Sequence, residues 1–341
     1  MGYSIQILNN IRANASSDYT TRIPDATREN LTSIGQTFYT YEALYNEFLT
    51  NLFCKIGKTI IESKLYKNKL SRFKSGALVT AQDVEEIFIG MAKQATAYDA
   101  QGKNPLGRRD YTPVNVAYHR RNRQDCYEIS IGDIDIIQVF RSEATLDAFI
   151  LGQINSVFNR AEHDEYILMK NVLATYPDKD GVAGQGYFDY EVPALTATNT
   201  ETAAKTFVKT LRKAVNDVSF VSDKYNAAGV ETKTDPADLV LFINKDVVAE
   251  VDVEVLAKAF NLGKTDINVD IVVLDDFGSM GDTYGLLVDK DFFRVWDTLN
   301  KMETQRNAQG LFTNYFYHVH QILSASPYKT AVRFKAVTAT A

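Results

Sequence analysis

Residues 142–176, SEATLDAFILGQINSVFNRAEHDEYILMKNVLATY, contain no proline and one glycine, Gly152. Leu146, Phe149, Ile150, Ile154, Val157, Phe158, Ala161, Leu168, Met169, Val172, Leu173 and Tyr176 return at a spacing of 3.6, which predicts one amphipathic helix. Ser142 suits the N-cap, with Glu143 and Asp147 near the positive end of the dipole. Pro177 and the DKDG turn end the run. At about 1.5 Å per residue the predicted helix spans roughly 50 Å, well beyond an ordinary helix. It reads as a beam, with Asn155, Arg160, Glu162, His163, Glu165 and Lys170 on a polar face turned to water or to another subunit.

Working outward, the first 35 residues are polar and read as an extended or partly helical arm that packs on something else. From Ile34 to Ser63 the pattern turns helical, and Phe38, Tyr41, Leu44, Tyr45, Phe48, Leu52 and Ile56 form a stripe suited to burial against a partner. Tyr66 to Phe73 reads as a polar extended strip. Residues 81–96 fit a strand or a short helix. QGKNPLGRRDYTP (101–113) then gathers turn residues, and VNVAYHRRNRQDCYEISI follows with alternation. Two extended arms around this tip predict a long hairpin or loop.

Beyond the long helix, 181–199 reads as a strand and turn, and Thr200 caps a helix bearing Phe207, Leu211 and Val215. An α/β alternation follows: strands at 238–247, 270–277 and 283–290, a short helix at 253–261, and a helix or turn at 291–302. Residues 311–337 predict two strands across Ala325–Pro327.

The chain has 341 residues, a net charge of −6, 45% hydrophobic and 23% charged residues, which suits a globular protein of about two domains. The acidic balance argues against a protein that wraps DNA nonspecifically. Cys54 and Cys126 lack any CxxC partner and fit a reduced compartment. The first residues, MGYSIQILNN, fit neither a signal peptide nor the myristoylation pattern, and no apolar run is long enough to span a membrane.

Few residues suggest chemistry. His318 and His320 share one face of a strand and could ligate a metal, or simply pack within an aromatic strand. His163, between Glu162 and Asp164, suits a solvated helix face. Asp275, Asp276, Asp289 and Asp291 resemble the carboxylate set of a metal-dependent hydrolase, but aspartates are also common where strands end. GVAGQG and GKT (263–265) lack the spacing of phosphate-binding loops. No catalytic residue, cofactor or metal ligand is assigned. His119, Arg120, Arg121 and Arg123 form a basic cluster flanked by Tyr118 and Tyr127. It suits a nucleic-acid patch or, better in so acidic a chain, the acids of an adjacent subunit. Arg120, Arg121 and Arg123, with Arg108 and Arg109 at the loop tip, are therefore the expected inter-subunit contacts.

LAKAFNLGKTD (256–266), LLVDKDFF (286–293), KMETQRNAQGLFTNYFYHVHQILSAS (301–326), YHRRNRQDCY (118–127) and FNRAEHDEYILMK (158–170) keep a common order and spacing from about residue 60 to 335. Together they resemble the major capsid proteins of small short-tailed phages of the Salasmaviridae type, within the Hong Kong 97-type capsid family. The resemblance implies an α+β fold with an N-terminal arm (1–70), an extended loop (71–131), a peripheral domain (132–199 and 303–341) holding the spine helix 142–176, and an axial domain (200–302). It implies a homo-oligomeric shell of hexamers and pentamers, icosahedral or prolate, in the virion. Packaged double-stranded DNA held without sequence specificity, a separate scaffolding protein and a portal protein are its implied partners. An immunoglobulin-like domain that longer relatives carry after the last strand is not expected here, and no Lys–Asn cross-link is assigned. The rival classes are a nanocompartment shell of the encapsulin type and the metal-dependent hydrolase.

Overall fold

The computed structural model describes residues 3–41, 43–48, 51, 67–78, 83–92, 95, 98, 100–101, 112–132, 139–142, 155–176, 186–195, 200–250 and 269–337. They form two compact units, each assembled from three stretches of chain. Unit 1 takes Met1–Ser71, Asn122–Ile167 and Asp297–Gln321; unit 2 takes Arg72–Arg121, Leu168–Trp296 and Ile322–Ala341.

Unit 1 begins with helices α1 (Tyr3–Ala13), α2 (Ser17–Arg22) and α3 (Leu31–Thr40). Ser16 caps α2 by accepting from the Tyr19 amide. Ile5, Leu8, Ile11, Tyr19, Leu31, Ile34, Phe38, Leu44, Tyr45 and Phe48 close one core with Ile131, Phe140, Phe158 and Tyr315. Phe38 stacks on Phe48 at 5.1 Å between ring centroids and tilts against Phe140 at 5.3 Å. Of the two readings of the arm, extended or partly helical, the second holds. One expectation is corrected: the aromatic stripe buries against its own chain, because apolar faces of neighbouring helices complement each other before any partner arrives. Tyr41 alone of the described stripe stays exposed, under the Arg22 guanidinium at 4.6 Å. Leu52 and Ile56 lie outside the described residues.

The same unit holds β4 (Arg123–Gly132), which pairs antiparallel with β10 (Phe312–Ala325) from Arg123↔Gln321 to Gly132↔Phe312. On the other side of β10 runs β9 (Phe293–Asn307). β9 overturns the helix or turn expected at 291–302: Phe293 and Val295 are buried while Arg294 and Trp296 are only half-buried, a period of two.

The long helix is described as α4 (Asn155–Ala174), 20 residues or about 30 Å. Ser142 is described as non-helical, and 143–154 lie outside the described residues. Val157, Phe158, Ala161, Met169 and Leu173 are buried as expected. Glu165 and Lys170, assigned to the polar face, are buried too. Glu165 accepts from Asn68 Nδ2 at 2.9 Å and from Gln321 Nε2. Lys170 Nζ donates to Asp275 and Asp276 at 3.0 and 2.9 Å. Counting fours from Ala161 puts Glu165 on the Ala161–Met169 stripe, so the helical period itself carries this acid inward.

Unit 2 is organised on a five-stranded sheet in the order β5 (Phe188–Pro193), β11 (Ala331–Val337), β8 (Thr283–Asp289), β6 (Leu239–Asn244), β7 (Asp270–Leu274). β11 lies parallel to β5 and antiparallel to β8; β6 lies antiparallel to β8 and parallel to β7. Helix α5 (Thr200–Val218) lays Ala204, Phe207, Val208, Leu211, Val215 and Val218 over Leu239, Leu241, Ile243, Leu287, Val332 and Phe334. On the opposite face Phe242 meets Phe73 and Phe293 edge-on. Gly285 lets β8 close on β6, since a Cβ there would lie 2.9 Å from the Phe242 carbonyl oxygen. A short helix, α6 (Lys245–Glu250), follows β6 directly. Ser71–Phe73, read as an extended strip, is a 3-10 turn. The helix expected at 253–261 lies outside the described residues.

Candidate assembly surface at a two-stranded hairpin

β1 (Gly76–Ala77) is followed in unit 2 by β2 (Asp83–Ile89) and β3 (Val114–Arg120), antiparallel from Asp83↔Arg120 to Ile89↔Val114. This is the predicted hairpin; its tip, 102–111, lies outside the described residues. β2 resolves to a strand because Val84, Glu86 and Phe88 turn inward while Asp83, Glu85, Ile87 and Ile89 turn outward. β3 alternates in step, with Asn115, Ala117 and His119 inward.

The outer face carries Ile89 beside Val114 and Ile87 beside Val116, with Glu85 beside Tyr118 and Asp83 beside Arg120 toward the root. The five apolar or aromatic side chains are 42% to 69% exposed. Cross-strand pairing rows these side chains up as one strip.

The inner face is polar at one carboxylate. Glu86 Oε1 accepts from Arg294 Nη2 at 2.6 Å, Arg294 Nε at 3.2 Å and Ser326 Oγ at 2.9 Å. Glu86 Oε2 lies 3.0 Å from His119 Nε2, and His119 Nδ1 lies 2.8 Å from Ser324 Oγ. Burial opposes the charge on Glu86, yet the donors from His119 and Arg294 outweigh it and hold its pKa at about 2. Phe88 stacks on Tyr328 at 5.3 Å, and the His119 ring tilts against Trp296 at 6.0 Å.

The predicted contact arginines separate. Arg120 is largely exposed and lies 3.7 Å from Asp83. Arg121 is half-buried. Arg123, expected at a subunit contact, is buried inside unit 1 and spends its guanidinium on its own chain. Its Nε donates to Asp125 at 2.6 Å, Nη1 to Gln321 Oε1 at 2.6 Å, and Nη2 to the Tyr127 hydroxyl at 2.8 Å and the Ala161 carbonyl at 3.2 Å. The first position of β4 faces inward, and a buried guanidinium takes every acceptor within reach. His119, grouped with these arginines by sequence, is likewise internal. Arg108 and Arg109 lie outside the described residues.

The residues weighed for chemistry are otherwise engaged. Asp275 and Asp276 pair with Lys170. Asp289 accepts from Thr234 at 3.3 Å and Lys329 at 3.4 Å, and Asp291 lies 4.0 Å from Lys329. His318 and His320 do share a face, and His318 Nε2 lies 3.9 Å from Cys126 Sγ. Among the described residues no group of three or more His, Cys, Asp or Glu is arranged to hold a metal ion. No helix among them is long and apolar enough to cross a membrane. Sequence reasoning missed Glu86 and Arg294; the available signal was an acid in the inward phase of Val84-Glu86-Phe88.

Residues 8–335 match the family model described as Phi29-like phage major capsid protein. The chain is 39% identical to the major capsid protein of Bacillus phage B103 over 335 residues, 97% of this chain and 72% of that protein. It is 36% identical to that of Bacillus phage PZA, with the same two coverages. A solved capsid structure of Staphylococcus phage Andhra superposes with a TM-score of 0.62 at 11% identity, covering 83% of this chain and 87% of that one, a likeness of fold. The α+β architecture is thus the expected Hong Kong 97-like capsid fold, and a phage head is favoured over a nanocompartment or a hydrolase. The chain belongs to the Phi29-like phage major capsid protein family, as a structural protein of the head shell of the virion.

Proposed function

We propose that copies of this chain close into the shell by laying the outer face of the β2–β3 hairpin on a neighbouring copy. The observation that carries this is the strip Ile87, Ile89, Val114, Val116 and Tyr118, apolar yet exposed in the single chain. A second copy is the fitting occupant because a head shell is made of many copies and offers every subunit an identical neighbour. In this reading residues 71–131 are the extended loop, 1–70 the arm, 132–199 and 303–341 the peripheral domain, and 200–302 the axial domain. Arg120 and Arg121 flank the apolar strip and pair with acids of the neighbour, adding salt-sensitive contacts to an apolar centre.

The role is mechanical, with no bond made or broken by the chain. Many weak contacts sum over a closed surface of hexamers and pentamers. The net charge of −6 supports an inner wall that encloses double-stranded DNA without gripping it. A separate scaffolding protein and a portal protein complete assembly in this reading. Replacing Val116 with Asp tests the central claim. The variant should keep the melting temperature of the unassembled chain and fail to form shells when co-expressed with the scaffolding protein. Shells at normal yield would refute the claim.

A further inference from the structure

A two-stranded sheet is marginal alone in water, so the β2–β3 pair depends on what its inner face touches. Among the described residues that face is tied to the rest of unit 2 by the ion pair and hydrogen bonds of Glu86, the His119–Ser324 bond, and the Phe88–Tyr328 and His119–Trp296 ring contacts. These ties differ in kind. Ring contacts tolerate sliding by an ångström or so, whereas charge-assisted hydrogen bonds are directional and lost over the same distance.

Three donor atoms, two from Arg294 and one from Ser326, converge on the single oxygen Oε1. His119 holds the other oxygen, and its own far nitrogen is fixed by Ser324. The carboxylate is thus pinned from β3 on one side and from β9 and Ser326, the residue just after β10, on the other. Beside it lies a cleft of about 310 Å³, lined in part by Glu86, Ile87, Phe88, Tyr328, Lys329 and Thr330. The cleft is room into which the hairpin can tilt once the carboxylate lets go.

We propose that Glu86 is the positioning residue of the hairpin: held between His119 and Arg294, it fixes the direction in which β2 and β3 leave the rest of unit 2, and so where their apolar face meets a neighbouring copy. This inference rests on the shell contact proposed above. A subunit whose hairpin leaves at a variable angle still offers the sticky strip, but offers it out of register, and errors of angle accumulate around a closed surface.

The test compares the full chain with Glu86→Gln, which keeps the shape and removes the charge. In the unassembled chain, backbone amides of Asn115, Ala117 and His119, which face β2 in the ladder, should exchange with solvent at least about tenfold faster than in the parent. Co-expressed with the scaffolding protein, the variant should give open or irregular particles instead of none. Unchanged exchange, or closed particles of parental dimensions, overturns the proposal even if the melting temperature falls, since a merely stabilising role would lower the melting temperature alone. If Glu86→Gln fails to accumulate, Ser326→Ala removes one neutral donor and should accelerate exchange a few-fold with a rise in malformed particles; no change in either sinks the idea. Val116→Asp separates the two claims. Normal shells from that variant defeat the neighbour contact and the positioning role with it, whereas its failure beside normal Glu86→Gln shells defeats the positioning role alone.

Discussion

The five-stranded sheet and the two-stranded hairpin of unit 2 are built by the same rules and end in opposite conditions. In β6 every residue from Leu239 to Ile243 is buried, with α5 on one face and phenylalanines on the other. In β2 every second side chain is exposed, and two of those are isoleucines. The centre of the sheet satisfies itself within one chain, although Ile271 and Val273 on the edge strand β7 stay exposed. The hairpin satisfies only its inner face, and through a carboxylate. A single polypeptide thus holds one part covered on both faces at folding and another that, in the reading proposed above, is covered only at assembly.

The largest effect that would break this contrast lies in the sheet. Phe242→Ala should destabilise unit 2 by about 3–5 kcal/mol, read as a fall in the denaturation midpoint of the unassembled chain. A loss as small as that of a surface substitution would mean that β6 is not the centre of a self-sufficient core. Arg123→Ala comes next, at about 3 kcal/mol, because it strips Gln321, Tyr127 and Asp125 of a buried partner. This cost should appear in unassembled protein and change little with salt, as befits an internal residue. Smallest is the pair Arg120→Ala with Arg121→Ala. Subunit stability should move by less than about 0.5 kcal/mol, while assembled shells lose resistance to salt. A large loss in the isolated chain would place these arginines with Arg123 and blur the contrast.

Much of this architecture is legible in the amino-acid sequence. The long helix, α5, strands β6, β7, β8, β10 and β11, and the hairpin all announce themselves by period and turn residues. Those signals are local, and local signals survive folding. What escapes depends on phase and on distant partners. β9 escapes because Phe293, Val295 and Thr298 sit among residues that also suit a helix. Arg123 escapes because a run of basic residues looks like a surface until the strand's alternation is counted, and only Gln321, nearly two hundred residues away, explains its burial. Glu165 and Lys170 look like solvent-facing charges until Gln321 and the Asp275–Asp276 pair come into place. Glu86 needs Arg294, 208 residues on. Sequence shows which side chains share a face, but not which far segment will meet it.

The interleaving of the two units has a temporal consequence. Unit 1 needs Asp297–Gln321, and the sheet of unit 2 is split until β11 enters between β5 and β8. During synthesis a ribosome therefore releases most of the polypeptide before either unit can settle, so contacts far apart in sequence must form late and together. A half-made subunit then has no finished surface on which a neighbour could close prematurely, and construction of the container waits for complete bricks.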